Sequence, residues 1–141
     1  MNIEIVLEGK LKESYFKSGV DEYKKRISGY LDIKVLEVSS TDDFIQNVKK
    51  NDFVVTLEIE GKQLDSVQFA DKLKEIENDG FYNKIIFLIG GSNGLSDNVK
   101  SKSNFGFSMS KLTFLHQEAV LILIEQIYRS IRILKNEPYH K

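Results

Sequence analysis

The stretch Lys84-Ile85-Ile86-Phe87-Leu88-Ile89-Gly90-Gly91-Ser92-Asn93-Gly94 determines the fold that this sequence predicts. Its five consecutive apolar residues, 85–89, predict a strand buried on both faces, as in the centre of a parallel sheet. Three glycines follow within five residues, and glycine lets the backbone turn sharply and approach a ligand closely. Small molecules bind at this edge of open α/β sheets. A tight turn without any ligand is the alternative interpretation.

Strand and helix patterns alternate on both sides of this stretch. Apolar runs predict further strands at residues 2–7, 33–38, 53–57 and 105–109. Helical spacing predicts helices at 13–28, 43–49, 66–78, 96–101 and 117–134, with Tyr15 and Val67 among the apolar positions assigned to inward faces. This alternation indicates a single α/β domain over residues 1–141, with a mostly parallel sheet of about five strands and helices on both faces.

The last helix differs from the others because residues 119–124 are apolar all the way round. Such a helix is buried on more than one side, and we expect a second subunit to supply one of those sides. Pro138 stops the helix from continuing, and a short polar tail follows it. Tails of this kind are usually frayed and without function, which is the alternative to any role for this one.

Composition excludes several kinds of site. The chain of 141 residues has no cysteine, two histidines and a net charge of -1. We therefore expect no disulfide, no thiolate chemistry and no metal site. No apolar run approaches the length of a membrane span and no charged-then-apolar leader is present, so we expect a cytoplasmic protein without membrane contact. A neutral chain does not coat nucleic acid non-specifically, although local basic patches remain compatible with RNA binding.

Common nucleotide-binding and hydrolase motifs are absent. The glycine turn lacks the G-x-G-x-x-G spacing, and neither a P-loop nor a G-x-S-x-G elbow occurs. Three segments instead follow predicted strands, namely 57–61, 90–94 and 108–114. The ends of parallel strands share one edge of a sheet, so these segments are expected to converge on a pocket that could hold an adenosine through backbone hydrogen bonds. The residues alone predict a small-ligand pocket and no particular reaction.

Five motifs, taken in order over the whole chain, resemble the RlmH family of bacterial 23S ribosomal RNA pseudouridine N3-methyltransferases, which are members of the SPOUT superfamily. The motifs are Leu57-Glu58-Ile59-Glu60-Gly61-Lys62, Ile89-Gly90-Gly91-Ser92-Asn93-Gly94, Ser108-Met109-Ser110-Lys111-Leu112-Thr113-Phe114 with His116-Gln117, Ile124-Glu125-Gln126-Ile127-Tyr128-Arg129, and Tyr139-His140-Lys141.

The resemblance implies a homodimer of SPOUT-type α/β knots, with a C-terminal trefoil knot that holds S-adenosylmethionine in a bent form. The cofactor-binding residues carried over are Leu57, Gly90, Met109, Ser110, Lys111, Leu112, Thr113 and Phe114. The implied substrate is a pseudouridine in the helix 69 loop of 23S rRNA, methylated at N3 on the assembled 70S ribosome.

The resemblance also gives the C-terminal tail a role, because in this family the tail reaches the cofactor of the partner subunit. Tyr139, His140 and Arg129 are the candidate catalytic residues, acting in positioning, proton transfer or stabilisation of the N3 anion. Lys141 and Arg132 are the candidate contacts to substrate RNA.

Three features depart from the family. Leu115 stands where Pro is usual, Val120 stands where Arg is common, and the segment 39–51 is shorter than usual. These departures motivate a second hypothesis, a knotted ribosome- or RNA-binding protein that has lost catalytic turnover. A third, an unrelated small α/β nucleotide-binding protein, is disfavoured by the missing phosphate motifs.

Overall fold

The computed structural model describes all 141 residues and contains one sheet of five parallel strands. The strands are β1 (Asn2–Glu8), β2 (Asp32–Val38), β3 (Asp52–Gln63), β4 (Lys84–Ile89) and β5 (Phe105–Ser108). Their order in the sheet is β2-β1-β4-β3-β5, and every pairing is parallel. The apolar stretch that ends in the glycine turn is therefore the middle strand, as its sequence predicted.

Five helices connect the strands: α1 (Ser14–Ile27), α2 (Thr41–Ile45), α3 (Ser66–Asp79), α4 (Asp97–Ser101) and α5 (His116–Leu134). Local chemistry sets several of their ends. Asp65 and Gln68 form a reciprocal capping box at the start of α3, and Gly80 ends it with a φ of 77°. Helix α2 lies earlier than predicted because the Ser40 side chain accepts a hydrogen bond from the Asp43 backbone and caps it there.

Two apolar layers cover the sheet. Ile5 and Phe87 point to the face covered by α1, α3 and α5, whereas the neighbouring residues Val6 and Leu88 point to the face covered by α2 and α4. All four side chains are fully buried. Alternate strand residues thus feed two separate cores, which confirms the prediction of helices on both faces.

Two predicted core positions are wrong. Tyr15 is 64% exposed and Val67 is 47% exposed. Each is the second residue of its helix, α1 and α3 respectively. Helical periodicity placed them on the correct face, but the first turn of each helix extends beyond the layer that would cover it.

Helix α5 lies between α1 and α3 on one face of the sheet. None of its residues is exposed, and Val120, Leu123, Ile124 and Ile127 are fully buried. The prediction that this helix is covered on more than one side is confirmed. However, α1 and α3 of the same chain supply the cover that was expected from a second subunit.

Strand β3 continues past the point where its apolar run ends. Its pairing with β5 shifts register between Leu57 and Lys62, so residues 58–61 bulge away from the ladder. The two strands touch again at Gly61, where a Cβ atom would lie 2.7 Å from the carbonyl carbon of Gly106. The bulge raises residues 58 and 59 above the carboxyl edge of the sheet, where they become one wall of a cavity.

Candidate functional site

A cavity of about 570 Å³ lies at the carboxyl ends of β3, β4 and β5. Its volume falls within the range of small-molecule and cofactor pockets. Nine of its seventeen lining residues are hydrophobic. The three strand ends that were expected to converge therefore meet around one apolar pocket.

Seven of the eight cofactor-binding residues carried over from the family line this cavity: Leu57, Gly90, Met109, Ser110, Leu112, Thr113 and Phe114. Lys111 is the exception. Its side chain is exposed, and its Nζ donates a hydrogen bond to the carbonyl of Ile59 at 3.3 Å. The Lys111 ammonium thus ties its loop to the β3 bulge from outside the cavity.

The floor of the cavity includes the glycine turn after β4. Gly94 has a φ of 70°, in the region that favours glycine, and its N–H donates to the carbonyl of Gly91 at 3.0 Å. Gly90 has no space for a side chain, because a Cβ atom would lie 2.4 Å from the carbonyl carbon of Gly94. The turn is closed tightly enough that backbone, and not side chains, forms this part of the wall.

The segment 109–114 supplies a second wall made of backbone. None of its N–H or C=O groups takes part in a backbone–backbone hydrogen bond. The segment is held instead by side chains: Ser108 Oγ donates to the Ser110 carbonyl at 3.0 Å, and the Leu112 N–H donates to Ser110 Oγ at 3.0 Å. Several peptide groups at the cavity are therefore free to pair with a ligand.

Glu58 and Ile59 belong to the segment 57–61 that was expected at the pocket, whereas sequence reasoning missed Phe107, His116 and Ala119. Glu58 and Ile59 enter through the β3 bulge, which no local pattern announces. His116 and Ala119 enter because the first turn of α5 begins directly at the cavity. Glu58, Ile59 and His116 stood inside the motifs that carried the family resemblance, which was the available signal.

A second, polar cavity of about 550 Å³ adjoins the first and shares Gly91, Ser92 and His116 with it. Only one of its eleven lining residues is hydrophobic. Its two carboxylates already accept hydrogen bonds, Glu8 from Thr41 and Glu37 from the backbone of Leu11. The ammonium groups of Lys10 and Lys12 on the same wall make no hydrogen bond or ion pair within the chain.

The C-terminal tail is anchored on α5. Tyr139 OH donates to Glu125 Oε2 at 2.8 Å, and Arg129 Nη2 lies 2.9 Å from the same oxygen. Arg129 Nη1 lies 3.1 Å from His140 Nδ1, and its guanidinium stacks 4.8 Å from the centre of the Tyr139 ring. Three of the predicted functional residues are thus brought into one cluster around Glu125.

Protonation in this cluster follows from its contacts. Burial, with the hydrogen bond to Glu125, raises the pKa of Tyr139 well above its ordinary value, so the phenol is neutral at physiological pH. A guanidinium can only donate hydrogen bonds, so Nδ1 of His140 is the acceptor in its contact with Arg129. A neutral His140 therefore carries its proton on Nε2.

The two predicted RNA contacts have different surroundings. Arg132 donates a hydrogen bond to Tyr128 OH, and its Nε lies 3.4 Å from Glu137 Oε1. The guanidinium also lies 5.7 Å from the centre of the Tyr139 ring. Arg132 therefore helps to hold the tail, whereas Lys141 is exposed and makes no hydrogen bond or ion pair within the chain.

The tail cluster and the apolar cavity of the same chain lie far apart. Ala119 borders the cavity, and Arg129 follows it ten residues later on α5, which corresponds to about 15 Å along a helix. The His140 ring is held beside Arg129, and neither residue lines the cavity of its own chain. One chain alone does not bring the two groups of predicted site residues together.

The two departures from the family occupy different environments. Leu115 is 64% exposed and precedes α5 with a φ of -58°, a value that proline also adopts. Val120 is fully buried in the larger core. The side chain at position 120 therefore packs against apolar neighbours in this chain and does not face the cavity.

Comparison with known proteins identifies the family. A family model described as "Predicted SPOUT methyltransferase" matches residues 1–140. The chain belongs to the SPOUT methyltransferase family. A relative from Alkaliphilus oremlandii, named ribosomal RNA large subunit methyltransferase H, is 41% identical over 160 aligned positions that cover 100% of both chains. These matches confirm the resemblance to the RlmH family.

Solved structures agree with this assignment at the level of the fold. A probable methylase family protein from Haemophilus influenzae superposes with a TM-score of 0.63 at 13% identity, over 99% of this chain and 70% of the other. The SpoU methyltransferase AviRb from Streptomyces viridochromogenes, solved with AdoMet, gives a TM-score of 0.51 at 11% identity, over 94% and 58% of the two chains. The sheet and helices described above are therefore those of a SPOUT methyltransferase.

The placement of the side chains and the character of the helices bear on metal binding and on membrane insertion. No group of three or more His, Cys, Asp or Glu side chains is arranged so that it could hold a metal ion. None of the five helices combines the length and apolarity needed to cross a bilayer.

Proposed function

We propose that this protein is a ribosomal RNA methyltransferase that uses S-adenosylmethionine to methylate N3 of a pseudouridine in the helix 69 loop of 23S rRNA, on the assembled 70S ribosome. The observation that carries the proposal is the apolar cavity at the ends of β3, β4 and β5 in a SPOUT chain. The name of the Alkaliphilus relative, ribosomal RNA large subunit methyltransferase H, supports ribosomal RNA as the substrate class, since the two chains are 41% identical over their whole length.

The cavity suits S-adenosylmethionine in size and in chemistry. It offers apolar surface from Leu57, Phe107 and Phe114 for an adenine ring, and free peptide groups in 109–114 for its polar edge. Gly90 keeps the floor free of side chains. When bound, the cofactor supplies an electrophilic methyl group on a sulfonium. The protein aligns the nucleophile with that group, and alignment alone can provide a large part of the rate enhancement.

The tail residues serve the other half of the reaction as hydrogen-bond donors. A neutral His140 offers an Nε2–H and Arg129 is always charged, while Tyr139, whose single O–H proton goes to Glu125, keeps the cluster in place. Donors of this kind stabilise the negative charge that develops on the base when N3 loses its proton. We therefore assign stabilisation of the anion to this cluster, with Lys141 contacting RNA phosphate and Arg132 holding the tail.

The proposed active unit is a homodimer in which each cavity is completed by the tail of the other chain. The separation of about 15 Å between the cavity and the cluster within one chain supports this arrangement. The cavity rim also exposes apolar side chains that a second copy would cover, with Leu112 at 71% and Leu115 at 64% exposure. The adjoining polar cavity with Lys10 and Lys12 provides an entry for the RNA backbone.

A mixing experiment tests the shared site. One variant lacks residues 139–141 and the other carries Gly90→Ala, so each alone should be inactive. Randomly mixed dimers should regain about a quarter of wild-type activity, because half of them are heterodimers with one intact site. No recovery in mixtures that light scattering shows to be dimeric would contradict the shared site, and a monomer at micromolar concentration would contradict the dimer itself.

The reaction is tested with 70S ribosomes from a strain that lacks the modification. Transfer of a labelled methyl group from S-adenosylmethionine, followed by mass spectrometry of the nucleosides, should give 3-methylpseudouridine from helix 69. A folded protein that binds the cofactor and the ribosome without transferring the label would instead be the RNA-binding protein without turnover. A methylated nucleotide elsewhere in the ribosomal RNA would contradict the proposed target nucleotide.

Three further proposals complete the assignment. We propose that residues 1–141 form a single domain, that the segment after β5 is threaded as a trefoil knot, and that the protein acts in the cytoplasm, where ribosomes are found. Membership of the SPOUT family over residues 1–140 supports the knotted path. Refolding kinetics test the knot. Unfolded chains that keep the knot should refold fast, whereas chains that must form it again should refold slowly.

A further inference from the structure

Glu58 is the only carboxylate that lines the apolar cavity, and no lysine or arginine lines it. His116 is the only other titratable side chain among the lining residues. Lys111 is the one cation within segment 109–114. Its ammonium donates to the Ile59 carbonyl, and Lys111 is not among the residues that line the cavity. The cavity therefore carries the charge of a single carboxylate that no ammonium or guanidinium in its wall neutralises.

The carboxylate is held in place by the strands beneath it. Glu58 Oε2 accepts a hydrogen bond from the hydroxyl of Thr56, which is fully buried on β3. The same oxygen packs against β5, where a Cβ atom on Gly106 would lie only 2.8 Å away. Glycine at position 106 thus makes room for the carboxylate, and Glu58 is one of the residues that line the cavity.

One oxygen of this carboxylate is left for a ligand. Oε2 is bonded to Thr56, whereas Oε1 accepts no hydrogen bond from the protein and no ion pair involves Glu58. Glu58 is half-buried, so its charge is screened less than that of a fully exposed side chain. A fixed, partly desolvated carboxylate with a free oxygen favours a ligand of positive charge.

We infer that Glu58 is the residue by which the site prefers the positively charged methyl donor over the uncharged product. S-adenosylmethionine carries a sulfonium and an ammonium against one carboxylate and is cationic overall. The methyl carbon leaves the sulfur and bonds to N3, and the N3 proton passes to water. The sulfonium becomes a thioether, which leaves S-adenosylhomocysteine with no net charge. The attraction to Glu58 weakens at that moment, which favours product release. This inference rests on the proposed function.

Calorimetric titration of Glu58→Gln with each of the two ligands tests the inference. The amide keeps the size of the side chain and an oxygen that can accept from Thr56, so the fold should be retained. We expect affinity for S-adenosylmethionine to fall by about tenfold and affinity for S-adenosylhomocysteine to change less than about twofold, since only the charge–charge attraction is lost. In the wild type, the preference for the donor should shrink as salt is added.

Two variants serve as controls. Glu60 lies in the same bulge, is exposed and does not line the cavity, so Glu60→Gln removes an equal charge and should leave both affinities unchanged. Glu58→Asp keeps the charge and should keep the preference for the donor even if its shorter side chain weakens both ligands.

The outcomes separate the inference from the proposed function. If Glu58→Gln lowers the affinity for both ligands equally, Glu58 has a structural role through Thr56 and the inference is overturned. Unchanged affinities for both ligands would also overturn it. A preference lost equally in Glu60→Gln would assign the effect to net charge and would also overturn it. A wild-type protein that binds neither ligand would overturn the proposed function, and the inference would fall with it.

Discussion

Replacement of Gly90 by alanine adds one methyl group at the floor of the cavity, where the structure leaves no space. The new Cβ would lie 2.4 Å from the carbonyl carbon of Gly94, 2.7 Å from its oxygen and 2.8 Å from its Cα. All three atoms belong to the backbone, so no side chain can rotate away. The φ of Gly90 is not positive, and the obstacle is therefore space and not backbone conformation.

The size of the effect follows from these distances. Ordinary contact requires the turn at Gly94 to withdraw by about 1 Å, which would strain the 3.0 Å hydrogen bond from the Gly94 N–H to the Gly91 carbonyl. Overpacking of this kind costs about 1–3 kcal/mol of unfolding free energy. Because the same turn lines the cavity, we also expect affinity for S-adenosylmethionine to fall at least tenfold, and the rate of methyl transfer to fall by about a hundredfold from misalignment.

Urea unfolding and calorimetric titration with S-adenosylmethionine measure both effects. The matched control is Gly29→Ala, because a Cβ atom at Gly29 meets no atom within 4 Å and the φ of Gly29 is not positive. That variant should bind the cofactor normally and gain about 0.4–1 kcal/mol from reduced chain entropy. A Gly90→Ala protein with the unfolding midpoint and the affinity of the wild type would refute the tight turn as the floor of the site.

Three other predictions concern the tail and the start of α5. Deletion of 139–141 should abolish methylation and leave affinity for S-adenosylmethionine within a few-fold, and full activity after the deletion would refute the role of the tail. The pKa of Tyr139 is raised in the folded protein, so its neutral form stabilises the folded tail. This stabilisation is complete below about pH 10, the ordinary pKa of tyrosine, and is lost as pH rises through the pKa of the folded state. In ¹³C-tyrosine NMR, Glu125→Gln should move the titration of Tyr139 to lower pH, because the carboxylate is one cause of the shift, and an unchanged titration would contradict this. Leu115→Pro should raise the unfolding free energy by about 0.4–1 kcal/mol. The φ of -58° suits proline, and the Leu115 N–H donates to no backbone carbonyl, so no hydrogen bond is lost. A loss of stability in thermal unfolding would instead show that Phe114 cannot adopt the backbone conformation that a following proline requires.

The sequence predicted those parts of the fold that depend on neighbouring residues. The apolar run of 85–89 identified the middle strand because burial on both faces requires apolar residues at every position. Asp65 and Gly80 marked the ends of α3 because capping and left-handed backbone are local properties. The convergence of three strand ends followed from parallel pairing alone.

Other features depend on contacts between distant residues and could not be predicted in this way. Nothing in 119–124 indicates whether α1 and α3 or a second chain covers the last helix. The register shift of β3 against β5, which places Glu58 in the cavity, arises only when both strands are paired. The position of the tail at the end of the chain predicted that it would be frayed. Tyr139 is instead anchored to Glu125, fourteen residues earlier, by a hydrogen bond.

The pairing of the sheet also bears on how the chain is made. Asn2 pairs with Lys84 and Ile3 with Ile85, so β1 lacks its partner in the middle of the sheet until the residues of β4 have been synthesised. β5 then joins the edge through β3, and α5 covers Ile5 and Leu7 only after that. Parallel pairing over such sequence separations is slow and leaves apolar strands uncovered in the meantime. During synthesis β1 therefore has β2 as its only available strand partner until β4 has been made.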